Sequence, residues 1–191
     1  MTNNCKKQLE ELLSLTVKEA ASDLHLSAGH PPVLRIAGRL VPLLKKPKLS
    51  PEDTRGLAEA LMVQEQLQRF LQEKEVDFSY SFQERARFRV NVFFQRGEVS
   101  CSLRLIPAKI RTIEELNLPS IIHQFARATQ GFVLISGPSS HGKSTTLAAL
   151  IDEINHTRTD HIITIEDPIE YVFEDDRAIV DQREVYQDTL S

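Results

Sequence analysis

The stretch 132–150, FVLISGPSSHGKSTTLAAL, constrains this chain more than any other part of it. Its apolar run, Phe132, Val133, Leu134 and Ile135, predicts a buried strand ending at Ser136. Gly137-Pro138-Ser139-Ser140-His141-Gly142-Lys143-Ser144 follows and satisfies G-x-x-x-x-G-K-[ST]. Beyond it, Leu147, Leu150, Ile151 and Ile154 recur at helical spacing. Strand, glycine loop and helix in that order is the context in which this pattern wraps a phosphate. The residue types suit that task. Glycines let successive backbone N–H groups turn inward where a side chain would clash or φ must be positive. The helix adds unpaired N–H groups and the positive end of its dipole. Lys143 offers a compact cation for β/γ-phosphates, and the Ser144 hydroxyl suits a Mg²⁺ held with the nucleotide. Thr145 opens the helix beside them.

The rest of the chain bounds what this loop can belong to. At 191 residues, 41% hydrophobic and 26% charged, the chain reads as globular, with room for one large or two small domains. A net charge of −4 gives no reason to expect nucleic acid or an acidic membrane surface as a partner. No apolar run approaches the ~20 residues of a membrane span, and the polar start lacks a secretory h-region. Cys5 and Cys101 stand alone without metal spacing, as reduced thiols in a cytoplasmic protein would. His25, His141 and His161 likewise have no second ligand at metal spacing.

Taken in order, residues 6–21 place Leu9, Leu12, Leu13, Val17 and Ala20 on one helical face. Residues 22–26 alternate as a short strand, and Ala37-Gly38 joins 33–36 to 39–41 as a hairpin. Ser50, Pro51 and Asp53 carry the signature of a capped helix start, with helix predicted to about residue 74 and a break near Val63. Three strands of clear period two follow, in which Phe88, Val90, Val92 and Phe94 oppose Arg87, Arg89 and Asn91, and Arg104 points outward from the third. This predicts an α+β domain over 1–107 and a linker over 108–112. A helix over about 120–129 precedes the phosphate loop, and a second buried strand, 161–165, follows its helix. It ends in Glu166-Asp167-Pro168-Ile169-Glu170, carboxylates at the strand edge where a phosphate loop lies. Residues 178–180 read as one more short strand.

Several stretches together resemble the secretion and pilus ATPase superfamily, in its PilT-type twitching-motility branch. They are residues 21–27 (ASDLHLS), 87–91 (RFRVN), 103–107 (LRLIP), the phosphate loop, and 182–185 (QREV) with Asp188-Thr189. The most specific is 165–171, IEDPIEY, which is similar to the family's acidic "Asp box". The resemblance implies a PAS-like N-terminal domain followed by an α/β P-loop (RecA-like) ATPase domain, assembled as a homo-hexamer. It also implies hydrolysis of ATP with Mg²⁺ to drive pilus retraction, peripherally on the pilus machinery at the cytoplasmic face of the inner membrane. It makes Glu166 and Glu170 the carboxylates that place Mg²⁺ or the attacking water. It makes Arg87, Arg89 and Arg104 candidates for an arginine supplied in trans, although an exposed arginine on a strand is more often simply solvated. Two departures stand out. The family's loop usually reads Gly-Pro-Thr-Gly-Ser-Gly-Lys-Ser, whereas Ser140 and His141 replace a glycine and a serine here. If residue 140 needs φ > 0, serine costs about 1–2 kcal/mol there. Residues 113–191 are also few for a domain of ~100–150 residues, so a partial ATPase domain ending before its Walker B strand is expected. A type II secretion or pilus-assembly ATPase and a non-catalytic nucleotide-binding interaction module are the alternatives.

Overall fold

A computed structural model describes residues 2–83, 86–138 and 141–190. Two compact units emerge, Met1–Ile106 and Pro107–Ser191.

The first unit begins with α1 (Thr2–Lys18), whose Leu9, Leu12, Leu13 and Thr16 are buried at the spacing of one helical face. Then come β1 (Asp23–Ser27), β2 (Val33–Ile36) and β3 (Arg39–Pro42). Ala37 and Gly38, both at positive φ, make the two-residue turn between the last two. In α2 (Pro51–Leu61) the start is fixed by a reciprocal box: the Asp53 N–H donates to Ser50 Oγ at 3.1 Å, and the Ser50 N–H to Asp53 Oδ2 at 2.9 Å. Extended backbone at Met62 and Val63 separates α2 from α3 (Gln64–Glu73), the break expected near Val63. β4 (Glu75–Phe82), β5 (Ala86–Gln95) and β6 (Glu98–Ile106) complete a six-stranded sheet. Its order is β3-β2-β1-β6-β5-β4, and every pair is antiparallel.

Period-two alternation sends Leu24, Leu26, Phe78, Phe88, Val90, Val92 and Leu103 into one core with Leu9, Leu12, Leu13 and Leu57 of the helices. Each fully buried side chain of this kind is worth about 1.5–3 kcal/mol of transfer free energy. The other face of the sheet is polar. Register sets Arg35, Asp23, Arg104 and Arg89 in one row across β2, β1, β6 and β5.

The second unit holds a 3₁₀ turn (Ser120–Ile122), α4 (His123–Arg127), α5 (Lys143–Thr157), β7 (His161–Glu166) and β8 (Ile179–Glu184). Ile113, Ala126, Ala149 and Leu150 form its small core. Three expectations are corrected here. Residues 120–129 form the 3₁₀ turn and the five-residue α4 rather than one longer helix. Residues 131–137 form no strand, and Phe132 and Leu134 are 87% and 75% exposed. A strand exists only as a ladder, and no described strand pairs with this run. β7 forms, but it is not buried: Ile163 and Ile165 are about 60% exposed on its outer face. It pairs in parallel with β8, His161 opposite Ile179 and Glu166 opposite Glu184. The last strand is thus longer than the 178–180 stretch suggested. The connection between them, residues 167–178, carries no helix, although parallel crossovers commonly do.

Among the described residues, no helix is long and apolar enough to cross a membrane. Both cysteines are free thiols. Burial pushes the Cys101 thiol up to about 12, so it stays protonated and unreactive in the folded unit.

Candidate functional site

The phosphate-loop pattern lands on a helix mouth. Gly137 (φ +152°) and Gly142 (φ +84°) both take backbone conformations that L side chains rarely adopt. No atom crowds the place of a missing Cβ at either, so conformation rather than space calls for glycine. Gly142 is the N-cap of α5, and its carbonyl accepts from the Thr146 N–H at 2.8 Å. The first turn of this 15-residue helix contains no acidic residue, so no side chain of that turn compensates the positive end of its dipole. Lys143 sits in that turn, and its Nζ donates to the Pro138 carbonyl at 2.9 Å, folded back across the loop. Ser144 is exposed, as is His141. Ser139 and Ser140 lie outside the described residues.

The acidic segment leaves the end of β7. Glu166 Oε1 accepts from Thr164 Oγ1 at 2.7 Å and from Gln182 Nε2 at 3.0 Å. Three further bonds fasten the irregular chain that follows. Gln182 Nε2 donates to the Tyr171 carbonyl at 2.8 Å. The Phe173 N–H donates to Gln182 Oε1 at 2.9 Å. The Ile169 N–H donates to Oε2 of Glu184, a carboxylate only 4% exposed, at 3.0 Å. Glu170 is half-buried. The Tyr171 hydroxyl lies 3.2 Å from Thr145 Oγ1, which ties the acidic segment to the first turn of α5. One contact, Tyr171 to Thr145, thus joins the segment after β7 to the first turn of α5.

Local pattern does not assign Gln182, Glu184 and Tyr171 their work as fasteners. The signal available is that Val180, Gln182 and Glu184 alternate along one strand, but their partners follow only from the parallel register that sets Thr164 opposite Gln182.

The three arginines belong to the first unit, on the polar face of its sheet. Arg104 Nε binds Asp23 Oδ1 at 3.0 Å, and Arg35 Nε binds Asp23 Oδ2 at 3.2 Å. Arg87 donates to the Ser79 hydroxyl at 2.6 Å, and Arg89 lies 3.8 Å from Asp77. Asp23 is nearly buried. Burial alone would raise its carboxyl, but the Ser22 hydroxyl and the Arg104 guanidinium outweigh it and hold the group below the usual carboxylate range.

His25 stands next to this cluster, with Nδ1 3.4 Å from the Ser102 hydroxyl and Nε2 buried with no partner among the described residues. Burial depresses its proton affinity, the Asp23 charge opposes that, and Arg35 and Arg104 add to it. A histidine whose folded pKa lies below its unfolded value of about 6.5 leaves more protons on the unfolded chain in acid. Its contribution is therefore intact above pH ~6.5 and is lost as pH falls from there toward the folded value. His25→Gln should flatten the fall in first-unit stability between about pH 7 and 5.5, measured by denaturant midpoints. An unchanged slope would assign it to other groups.

The family model for type II/IV secretion system proteins matches residues 2–186. The Pseudomonas aeruginosa type IV pilus retraction ATPase PilT is 43% identical over 182 residues, 95% of this chain and 53% of the relative. The type IV pilus ATPase PilU of the same organism is 44% identical over 184 residues, 96% of this chain and 48% of the relative. A crystal structure of the pilus retraction motor PilT with bound ADP superposes with a TM-score of 0.87 at 46% identity, covering 95% of this chain and 53% of that one. The chain spans about half the length of the relatives it matches. It belongs to the type II/IV secretion system protein family, on the side of the PilT-type pilus ATPases.

Proposed function

We propose that this chain carries the MgATP-binding part of a pilus-retraction motor ATPase that works as a homo-hexamer on the cytoplasmic face of the inner membrane. The observation that carries the reading is the hydroxyl contact between Tyr171 and Thr145, which seats the acidic segment against the first turn of α5. A cation and an anionic phosphate chain need opposite charges within a few ångströms of each other, and few arrangements supply both. The residues fit a magnesium nucleotide: glycine-permitted loop backbone, a helix first turn clear of acidic side chains and one lysine, with Glu166 and Glu170 in the segment that Tyr171 ties to that turn.

In this reading, backbone N–H groups of residues 137–142, except Pro138, which has none, hold the phosphates, and Lys143 neutralises the β/γ oxygens. Ser144 is a Mg²⁺ ligand, and Thr145 lines the mouth. Glu166 and Glu170 orient the ion's water shell or the attacking water. A bound Mg²⁺ would supply charge neutralisation on the transferred phosphoryl group. Residues 1–107 correspond to a PAS-like domain, 108–112 to a linker, and 113–191 to part of a RecA-like ATPase domain. Arg104, and less directly Arg87 and Arg89, are the candidates to reach a neighbouring subunit's nucleotide. The Asp23 carboxylate on Arg104 Nε supports Arg104 first, because it orients that guanidinium.

Titrating the 191-residue chain with a fluorescent ADP tests this. Saturable binding that ATP displaces, adenosine does not, and Mg²⁺ strengthens is the expected result. No saturable binding at millimolar nucleotide would overturn it.

A further inference from the structure

Residues 167–178 have no ladder of their own, yet Glu166 and the chain after it are held by a small set of named bonds. Gln182 is the centre of that set. Its amide hydrogens go to Glu166 Oε1 and to the Tyr171 carbonyl, and its oxygen accepts from the Phe173 N–H. A carboxamide with both donors and its acceptor engaged is fixed in orientation, so its two faces are not interchangeable. On Glu166 the bonding is one-sided. Thr164 and Gln182 both donate to Oε1, and among the described residues Oε2 receives no donor.

We infer that Gln182, seconded by Thr164, is a positioning residue for Glu166. The two donors lock the carboxylate rotamer through Oε1 and reserve Oε2 for a hard divalent cation or for a water such a cation holds. The inference rests on the reading of Glu166 given above. Chemically, a carboxylate that must meet a cation gains from donors on its other oxygen, because they fix the ring of lone pairs it presents without neutralising it. The same carboxamide clamps Tyr171 and Phe173, so the cation-facing oxygen and the segment leading to Tyr171, whose hydroxyl reaches Thr145, move together or not at all.

Thr164 allows the positioning role to be separated from a merely structural one. Gln182→Ala removes both the Glu166 bond and the clamp on 171–173. Thr164→Val removes only the donor to Glu166 and keeps the β-branched shape. The experiment measures affinity of the 191-residue chain for the fluorescent ADP in Mg²⁺ and in EDTA, and takes their ratio as the Mg²⁺ gain. Exchange of the Phe173 amide is followed alongside. Partners of this kind usually matter about 10–100-fold to metal affinity or activity. Gln182→Ala should lower the Mg²⁺ gain about tenfold or more, and Thr164→Val several-fold. Both should keep the EDTA affinity within about twofold, as residues that act only through the metal must. Phe173 exchange should quicken in Gln182→Ala alone.

A Mg²⁺ gain unchanged in both variants overturns the inference. So does a loss equal in Mg²⁺ and EDTA, which would make Gln182 a structural strut. If wild type binds with a Mg²⁺ gain that survives Glu166→Gln, the assignment of Glu166 fails and the positioning role falls with it. If wild type shows no Mg²⁺ gain at all, the nucleotide reading itself fails, a result visible before any variant is made.

Discussion

Lys143→Ala is expected to weaken nucleotide binding by about 100-fold or more, with little change in folded stability. Two unit charges ~4 Å apart interact by about 4 kcal/mol at the effective dielectric of a protein surface, and about 1.4 kcal/mol is tenfold in affinity. A single half-buried lysine facing two phosphate groups therefore accounts for at least two decades by charge alone. Among the described residues, its side chain donates one hydrogen bond, to the Pro138 carbonyl. That bond stabilises little at an exposed site, since water replaces it at small cost. Alanine also ranks at least as high as lysine in helix propensity, so α5 keeps its start. Equilibrium titration with the fluorescent ADP and a parallel thermal melt separate the two effects. Binding within threefold of wild type would remove the loop from the nucleotide site. A collapse of the melt would mean that Lys143 holds the loop rather than the ligand.

Features encoded within a few residues of each other were legible in the sequence. The capping box at Ser50 and Asp53, the break at Val63 and the two-residue turn at Ala37-Gly38 are all local, and all are found. The alternation in β4, β5 and β6 predicts which residues enter the core, because one face must be apolar wherever helices cover it. The glycines at 137 and 142 were legible for the same reason: both take positive φ, a conformational need that no partner alters.

What could not be read depends on partners. The run Phe132 to Ile135 has the composition of a buried strand, but composition cannot supply a ladder: Phe132, Val133 and Leu134 lie exposed, and Ile135 alone packs partly against the small core. Ile163 and Ile165 fail the buried expectation on the same ground. Gln182 reaches Glu166 only because β7 and β8 run parallel in a register that sets positions sixteen apart within one bond. The Asp23 cluster is more remote still. Its arginines sit at positions 35 and 104, and only the order β2-β1-β6 brings both to one carboxylate.

That cluster gives the second large expected effect. Asp23→Ala should destabilise the first unit by about 2–3 kcal/mol, which is the 3–5 kcal/mol of a broken buried ion pair reduced for solvent access to the arginines. The guanidiniums of Arg35 and Arg104 are 36% and 54% exposed and can rehydrate, whereas Asp23 cannot be replaced by water without opening the strand. With the carboxylate gone, Arg35 and Arg104 lose the anion they share, and Arg104 faces Arg89 directly across β6 and β5. Like charges opposite one another are themselves destabilising. The loss corresponds to a fall of roughly 10–20 °C in melting temperature for a unit of this size. Cys101 provides the readout, because its thiol is buried in β6 of this unit and reacts only when the sheet opens. Labelling rates in a Cys5→Ser background then report the first unit alone. Acid decides the cause. A carboxyl held below its ordinary range contributes stability above pH ~4 and loses it as pH falls through the folded value. Wild type and Asp23→Asn should therefore differ at pH 7 and converge toward pH 3. If the gap persists in acid, shape rather than charge holds the row together, and the orienting role given to Asp23 on Arg104 fails with it.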